Sequence, residues 1–458
     1  MARRPDADAR GRRAVEPRDG DARLTEAPGL GPRRAALRIL RRVTAGEPFD
    51  TALAAELGAL DAADRRLAHE LAAGVLRWRA ELDAALAPLA RRGWKQVDPA
   101  LRDVLRLGAY QLRRLDRVPA HAAVGTSVEL AGEALGPKAR GFANAVLRAL
   151  ARGAKEAERR APCDEADALA REASHPAWLV RRWLERFGAE ETRALLAWNN
   201  RRPRLILQPA RRDAAALEAA WGAAGIAVEP APFGAGLATD RTHPAELPGY
   251  EEGHFVVQDG AQALVTWFAD VPAHALVYDA CAAPGGKAIA LGRLARLVVA
   301  ADRSARRVRR LVENLRRAGS GREHAVVADA EAPPLREADV VLLDAPCTAT
   351  GTFARHPDAR WRVRPEAIAA LAERQARLLD AAAPVVRRGG LLVYATCSLE
   401  PEENEARVEA FLRTTPTFRR EPPEGYPAAL LSDAGDLRVL PQRHGVDGAY
   451  AARLRRVA

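Results

Sequence analysis

The chain has 458 residues, 71 Lys and Arg against 60 Asp and Glu, a net charge of +11 and four cysteines. That length supports several domains around at least one large core, and the positive surplus suits a polyanion such as nucleic acid. Cys163, Cys281, Cys347 and Cys397 form no CxxC pair, which argues against a disulfide framework or a zinc site. A compositional bias toward Arg and Ala explains the choice of arginine over lysine better than it explains the surplus itself. The amino terminus lacks the apolar core of a signal peptide and no run approaches a membrane span. A cytoplasmic protein with reduced thiols, no metal and no membrane partner is expected, and a monomer.

Residues 1–30 form a polar tail with too few large apolar groups to fold. Over 31–155 apolar residues recur at three- and four-residue spacing, as in Leu67-Leu71-Val75 and Leu101-Val104-Leu105, predicting an all-helical bundle punctuated by Pro119, Gly136-Pro137 and Gly141. Residues 156–250 read as a small α/β connector. It has helices over 178–187, 190–198 and 213–224, and strands at Arg204–Leu207 and Ile226–Val228. The remainder, 251–458, alternates strands with amphipathic helices. Strands are expected at Leu276–Asp279, Leu297–Ala301, Ala325–Ala328, Val340–Leu343 and Leu391–Ala395. Helices are expected at Lys287–Ala295, Ser304–Ala318, Pro365–Val386 and Pro401–Thr414. This pattern predicts a doubly wound, parallel, Rossmann-like α/β domain.

In such a sheet, ligands bind at the carboxyl ends of the strands. Asp279-Ala280-Cys281-Ala282-Ala283-Pro284-Gly285-Gly286-Lys287 closes one strand and opens a helix, with two glycines that permit close backbone approach. It matches neither the phosphate-binding P-loop nor the dinucleotide G-x-G-x-x-G pattern. The next three strands end at or beside Asp302, Asp329 and Asp344. Carboxylates at successive strand ends suit a nucleoside without phosphates, which they would repel; S-adenosylmethionine is such a ligand. The competing reading for each Asp is a local helix cap.

Two more loops carry thiols: Asp344-Ala345-Pro346-Cys347 and Thr396-Cys397-Ser398. A buried cysteine is usually an inert small hydrophobe, as expected for Cys281; these two stand instead at a pocket mouth. Methyl donor and thiolate work together in methylation at carbon 5 of a pyrimidine. Thiolate addition to carbon 6 makes carbon 5 nucleophilic, a base removes its proton, and the thiolate leaves. An acid near ring nitrogen 3 would promote the addition, a role for which Asp344 is placed. The residues alone do not rank Cys347 against Cys397 as nucleophile.

These motifs, with Glu402-Glu403-Asn404-Glu405 after them, resemble the RNA cytosine-5 methyltransferases. The resemblance implies Cys397 as nucleophile and Cys347 as the residue assisting product release. It also implies a donor site of Cys281, Ala282, Ala283, Pro284, Gly285, Gly286, Lys287, Asp302, Asp329 and Asp344. The helical region resembles the NusB-type RNA-binding bundle, through Leu107–Leu112 and Phe142–Arg148. That fusion is the layout of bacterial small-subunit ribosomal RNA methyltransferases, as are Gln258-Asp259, Arg355-His356-Pro357-Asp358 and Asp447-Gly448. Ribosomal RNA is therefore the implied partner. The rival expectations are a transfer-RNA cytosine-5 methyltransferase and a non-catalytic RNA-binding or antitermination factor. Thr348 stands where the family usually has Ser, and Gln208 where it more often has Asn, which puts fine substrate geometry in question rather than the reaction.

Overall fold

The structure, a computed structural model, describes residues 29–153, 164–241 and 243–458. The tail expected over 1–30, except its last two residues, and Cys163 lie outside them.

The chain opens with helices α1 (Leu30–Thr44), α2 (Phe49–Glu56), α3 (Ala62–Arg77), α4 (Arg79–Leu86), α5 (Pro99–Arg114), α6 (Ala120–Leu135) and α7 (Pro137–Ala151). Their boundaries follow local chemistry. Asp61 caps α3 by accepting from Asp64 N at 2.8 Å, and Asp98 caps α5 ahead of Pro99. The three- and four-residue apolar spacing of α1, α3 and α5 delivers Ile39, Leu40, Leu71, Val75, Val104 and Leu107 into one shared core.

Helices α8 (Glu165–Glu172) and α9 (Ala177–Asn199) follow; α9 bends at Gly188, where φ is 76°. A four-stranded antiparallel sheet then forms from β1 (Leu205–Pro209), β2 (Glu229–Pro230), β3 (Leu237–Thr239) and β4 (Phe255–Val257), in the order β2-β3-β1-β4. Helix α10 (Ala214–Ala223) begins on the Asp213 cap. The strand expected at Ile226–Val228 is not there: the pairing segment is Glu229–Pro230, which registers against Leu237 and Ala238. Ile226 instead serves the core with Leu217 and Trp221, so its apolar character reflects packing, not pairing.

The last domain holds α11 (Gly260–Ala269), β5 (Leu276–Asp279), α12 (Gly286–Gly292), β6 (Leu297–Asp302), α13 (Ala305–Ala318), β7 (Glu323–Val327) and β8 (Ala338–Asp344). After them come α14 (Ala359–Arg362), α15 (Pro365–Ala382), β9 (Val386–Thr396), α16 (Glu405–Thr414), β10 (Phe418–Arg420), β11 (Leu437–Val439), α17 (Pro441–His444) and β12 (Ala449–Arg456). The sheet runs β10-β12-β9-β8-β5-β6-β7, with β11 pairing β12. Five strands, β7-β6-β5-β8-β9, are parallel, each neighbour reached through a crossover. The doubly wound parallel sheet expected from the sequence is present in these five strands, and β12 extends it by lying antiparallel to β9, carrying β10 and β11 with it. The helix expected over Pro401–Thr414 is broken into a 3-10 turn at Pro401–Glu403 and α16.

The helical bundle docks on this domain through the 353–362 segment, which ends in α14. Arg360 is fully buried and donates to five oxygens: Asn199 O and Asn200 Oδ1 at 2.8 Å, Ser174 O and Phe353 O at 3.3 Å, and Arg77 O at 3.4 Å. Burial, then the nearby Arg77 charge, push its pKa well down. Trp361 donates to Leu76 O at 2.6 Å, and Phe49 N donates to Asp358 at 3.2 Å. Three segments distant in sequence are thereby tied into one joint.

Candidate active site

The strand that comes first in the chain, β5, sits in the middle of the parallel set. The chain leaves it toward β6 and β7 on one side and returns to β8 and β9 on the other. Loops after β5 and β8 therefore part at a topological switch point, which opens a crevice. The crevice is a cavity of about 260 Å³. Its walls come from the β5 loop (Ala280, Cys281, Ala283), the β6 end (Asp302, Arg303, Arg307), the β7 end (Asp329, Ala330), the β8 loop (Asp344 to Cys347) and Cys397, with Arg374 and Leu378 on α15. A larger groove, about 930 Å³, lies in the helical bundle between Leu89, Leu101 and Phe142, and none of the thiols lines it.

The two thiols meet here. Cys347 Sγ and Cys397 Sγ are 3.3 Å apart, and both cysteines are free. The neighbouring Cys397 sulfur, burial and the charge of Glu403 raise the Cys347 thiol well above its ordinary pKa. Gly351 donates to Cys397 O at 3.0 Å, and a Cβ at Gly351 would come within 2.8 Å of that oxygen and 2.7 Å of Gly448 Cα. The closing Asp447-Gly448 pair thus packs directly behind the Cys397 loop.

Asp344 receives Lys287 Nζ at 2.7 Å, and Lys287 also donates to Gln262. Burial works against the Lys287 charge, but Asp344 and Asp279 outweigh it and its pKa is raised. Asp279 is fully buried below the loop. Burial drives its pKa up to about 7, with Lys287 opposing and Asp344 adding. Cys281 is pushed up to about 12, mainly by burial.

The carboxylates at the next strand ends do double duty. Asp302 accepts from Ser304 N at 2.9 Å and pairs with Arg307 at 3.0 Å; Asp329 accepts from Glu331 N at 3.0 Å. Helix α13 is capped by Ser304, not Asp302. Both aspartates line the cavity.

Of the ten residues expected at the donor site, Cys281, Ala283, Asp302, Asp329 and Asp344 line the cavity, whereas Ala282, Pro284, Gly285, Gly286 and Lys287 stand behind it. Gly285 has φ 111°, and a Cβ there would come within 2.7 Å of Leu311 Cδ1. Its glycine thus answers to backbone conformation and to packing on α13. Sequence reasoning did not single out Arg303, Arg307, Arg374 or Gln375. Nor did it assign a role to Glu403, whose acid-rich run was visible but whose burial was not.

The outlying motif residues form one network. Arg355 Nε donates to Asp259 Oδ2 and Asp447 Oδ2, both at 3.0 Å, and Arg355 also donates to Arg204 O at 2.9 Å. Asp447 N donates to Asp259 Oδ1 at 3.0 Å. Burial, with Asp259 adding and Arg355 opposing, raises Asp447 to about 8. Gln208 donates to Ala235 O and Gln258 O, which joins the antiparallel sheet to the same loop cluster.

The family described as 16S rRNA methyltransferase RsmB/F matches residues 266–455, the NusB family matches 31–152, and an RsmF/B-like ferredoxin-like domain matches 175–242. The ribosomal RNA small subunit methyltransferase B of Pseudomonas putida is 38% identical, over 94% of this chain and 99% of that protein. Its namesake in Vibrio cholerae is 35% identical over 92% and 96%. Among solved structures, that of PH0851 superposes with a TM-score of 0.80 at 25% identity, covering 94% of this chain and 99% of that one. NSun6 from Pyrococcus horikoshii, with SFG, superposes at 0.56 and 22% identity over 62% of this chain and 98% of its own, a likeness of fold.

Proposed function

The chain belongs to the 16S rRNA methyltransferase RsmB/F family, and from that premise we propose that it methylates carbon 5 of a cytosine in small-subunit ribosomal RNA, with S-adenosylmethionine as donor. The observation that carries this reading is the pair of free thiols 3.3 Å apart on the wall of a carboxylate-lined cavity.

The residues suit the donor. Asp302 and Asp329 each give one oxygen to a local N–H and retain acceptor capacity for hydroxyl groups. The donor, when bound, supplies an electrophilic methyl group on a sulfonium. Asp302 and Asp329 would hold its ribose, and the Cys281–Ala283 backbone its remaining wall.

The rest is the work of the chain and the base. A cytosine extruded from the RNA meets Cys397, whose sulfur forms a bond to carbon 6 as its proton passes to nitrogen 3 by way of the Asp344 carboxylate. The electron pair moves to carbon 5, which takes the methyl group as the methyl–sulfur bond breaks and leaves a neutral thioether. A base takes the carbon-5 proton, the C5–H electron pair restores the ring double bond, and the carbon 6–sulfur bond breaks with Cys347 assisting, its pair returning to the Cys397 sulfur as nitrogen 3 gives back its proton. Lys287, bound to Asp344, holds that carboxylate in place beside the thiols.

Tritiated donor and unmodified ribosomal RNA provide the test. Wild type transfers label to carbon 5, Cys397→Ala does not, and Cys347→Ala accumulates a covalent protein–RNA adduct stable to denaturing electrophoresis. Adduct in Cys397→Ala would reverse the two thiols, and inert wild type would favour a binding factor that keeps a methyltransferase fold.

A further inference from the structure

Glu403 and Asn404 hold the chain on both sides of both thiols. Ahead of Cys347, Gln375 Nε2 donates to Pro346 O and to Glu403 Oε1, each at 3.0 Å. Behind it, Thr348 N donates to Glu403 Oε1 at 2.9 Å, and the Thr348 hydroxyl donates to Oε2. On the other loop, Ser398 Oγ donates to that same Oε2 at 2.5 Å. Thr396 Oγ1 donates to Asn404 Oδ1 at 2.5 Å, and Asn404 Nδ2 donates to Ser398 O at 2.9 Å. Tyr394 OH, on the strand leading to Cys397, donates to Glu403 O at 2.6 Å.

A carboxylate is costly to bury unless its lone pairs are satisfied. Glu403 is fully buried, and its side chain meets donors from both cysteine loops and from α15. The hydroxyl at 348, Thr here where Ser is usual in the family, supplies one of those donors, so the substitution keeps the bond. A purely structural brace would need to tie down one loop. This one ties both to a single oxygen, and the tied residues directly follow the two sulfurs.

We propose that Glu403 is a positioning residue that sets the distance between the Cys347 and Cys397 sulfurs, so that both address one pyrimidine, at carbon 5 and carbon 6. The reaction half of this claim rests on the cytosine reading above; the geometric half does not.

Two readouts test them separately. Diamide closes a near thiol pair by taking two electrons and two protons, leaving a Cys347–Cys397 disulfide that peptide mapping detects. Glu403→Ala slows that closure at least about tenfold, whereas Glu403→Gln, which keeps one acceptor and the shape, stays within about threefold. In steady state, Glu403→Ala lowers kcat about 10- to 100-fold with KM for RNA and donor within about twofold, since the sulfur alignment it sets is used in the chemical step and not in binding either substrate. If Glu403→Ala does not fold, Thr348→Val with Ser398→Ala removes two ties and serves for both readouts. A folded Glu403→Ala with wild-type closure overturns the clamp, as does a loss confined to KM. Slowed closure in a protein whose wild type methylates no cytosine overturns the cytosine reading and leaves the clamp standing.

Discussion

Arg360→Met puts a number on the joint between the helical bundle and the catalytic domain. The guanidinium is fully buried and its five acceptors are oxygens of peptide groups and one side-chain amide; none of them is a carboxylate. The two bonds at 2.8 Å are charge-assisted, at about 1.5–3 kcal/mol each, and the three longer ones contribute less. Against this stands the burial of an unpaired charge, which Met relieves. The balance is a loss of about 3–5 kcal/mol, because several carbonyls are left buried without a donor. With a urea slope of roughly 3 kcal/mol/M, the midpoint drops by about 1 M. The loss falls chiefly on the two short bonds to Asn199 and Asn200 of the connector, with the longest, at 3.4 Å, releasing Arg77 of the bundle, so the variant uncouples both from the catalytic domain and unfolds in two steps when followed by far-UV circular dichroism and tryptophan fluorescence. Arg360→Lys, with three donors at one point, lies between. A single transition at the wild-type midpoint would refute the assignment of this arginine as the joint.

Asp279 makes stability pH-dependent in the ligand-free protein. Its folded pKa, about 7, lies above the unfolded value of about 4. The native state therefore holds the proton longer, and stability falls as pH rises between those values, by up to about 4 kcal/mol in total. Asp447, raised to about 8, acts in the same direction. Melting temperature accordingly decreases from pH 5 to pH 8, and Asp279→Asn removes part of that decline; a melting curve unaffected by the substitution would contradict this account. Arg355→Met leaves Asp259 and Asp447 facing each other without their cation and costs about 3–5 kcal/mol, with the larger loss at pH 9 than at pH 5, because Asp447, raised to about 8, is neutral at the lower pH and mostly charged at the higher; equal losses at pH 5 and 9 by urea titration would argue otherwise. Asp302→Ala weakens donor binding roughly 10- to 100-fold by calorimetry, the equivalent of about two hydrogen bonds, and unchanged affinity would move the ribose elsewhere.

Much of the fold was legible in residue order because its signals are local. Val340 to Leu343 and Leu391 to Ala395 are short apolar runs, and an interior parallel strand buried on both faces needs little else to be recognised. Asp61, Asp98 and Asp213 are caps that act within three residues. The antiparallel strands β10 to β12 escaped, since Phe418–Arg420 and Leu437–Val439 are three residues each and acquire strand character only by pairing with β12. Ile226–Val228 misled for the same reason in reverse.

Residue order by itself determined which chemistry was present: two thiols, a glycine bend and carboxylates, each directly following a strand. Tertiary structure alone decided how they stand to one another, because such relations depend on crossovers that no local spacing encodes. Through these the sulfurs lie 3.3 Å apart although fifty residues separate them. Through these, too, Lys287 leaves the cavity wall to hold Asp344, and Glu403 turns inward between two loops instead of facing water with its acidic neighbours. Side-chain periodicity reports which face of an element is buried; only the packed sheet reports which partner waits there.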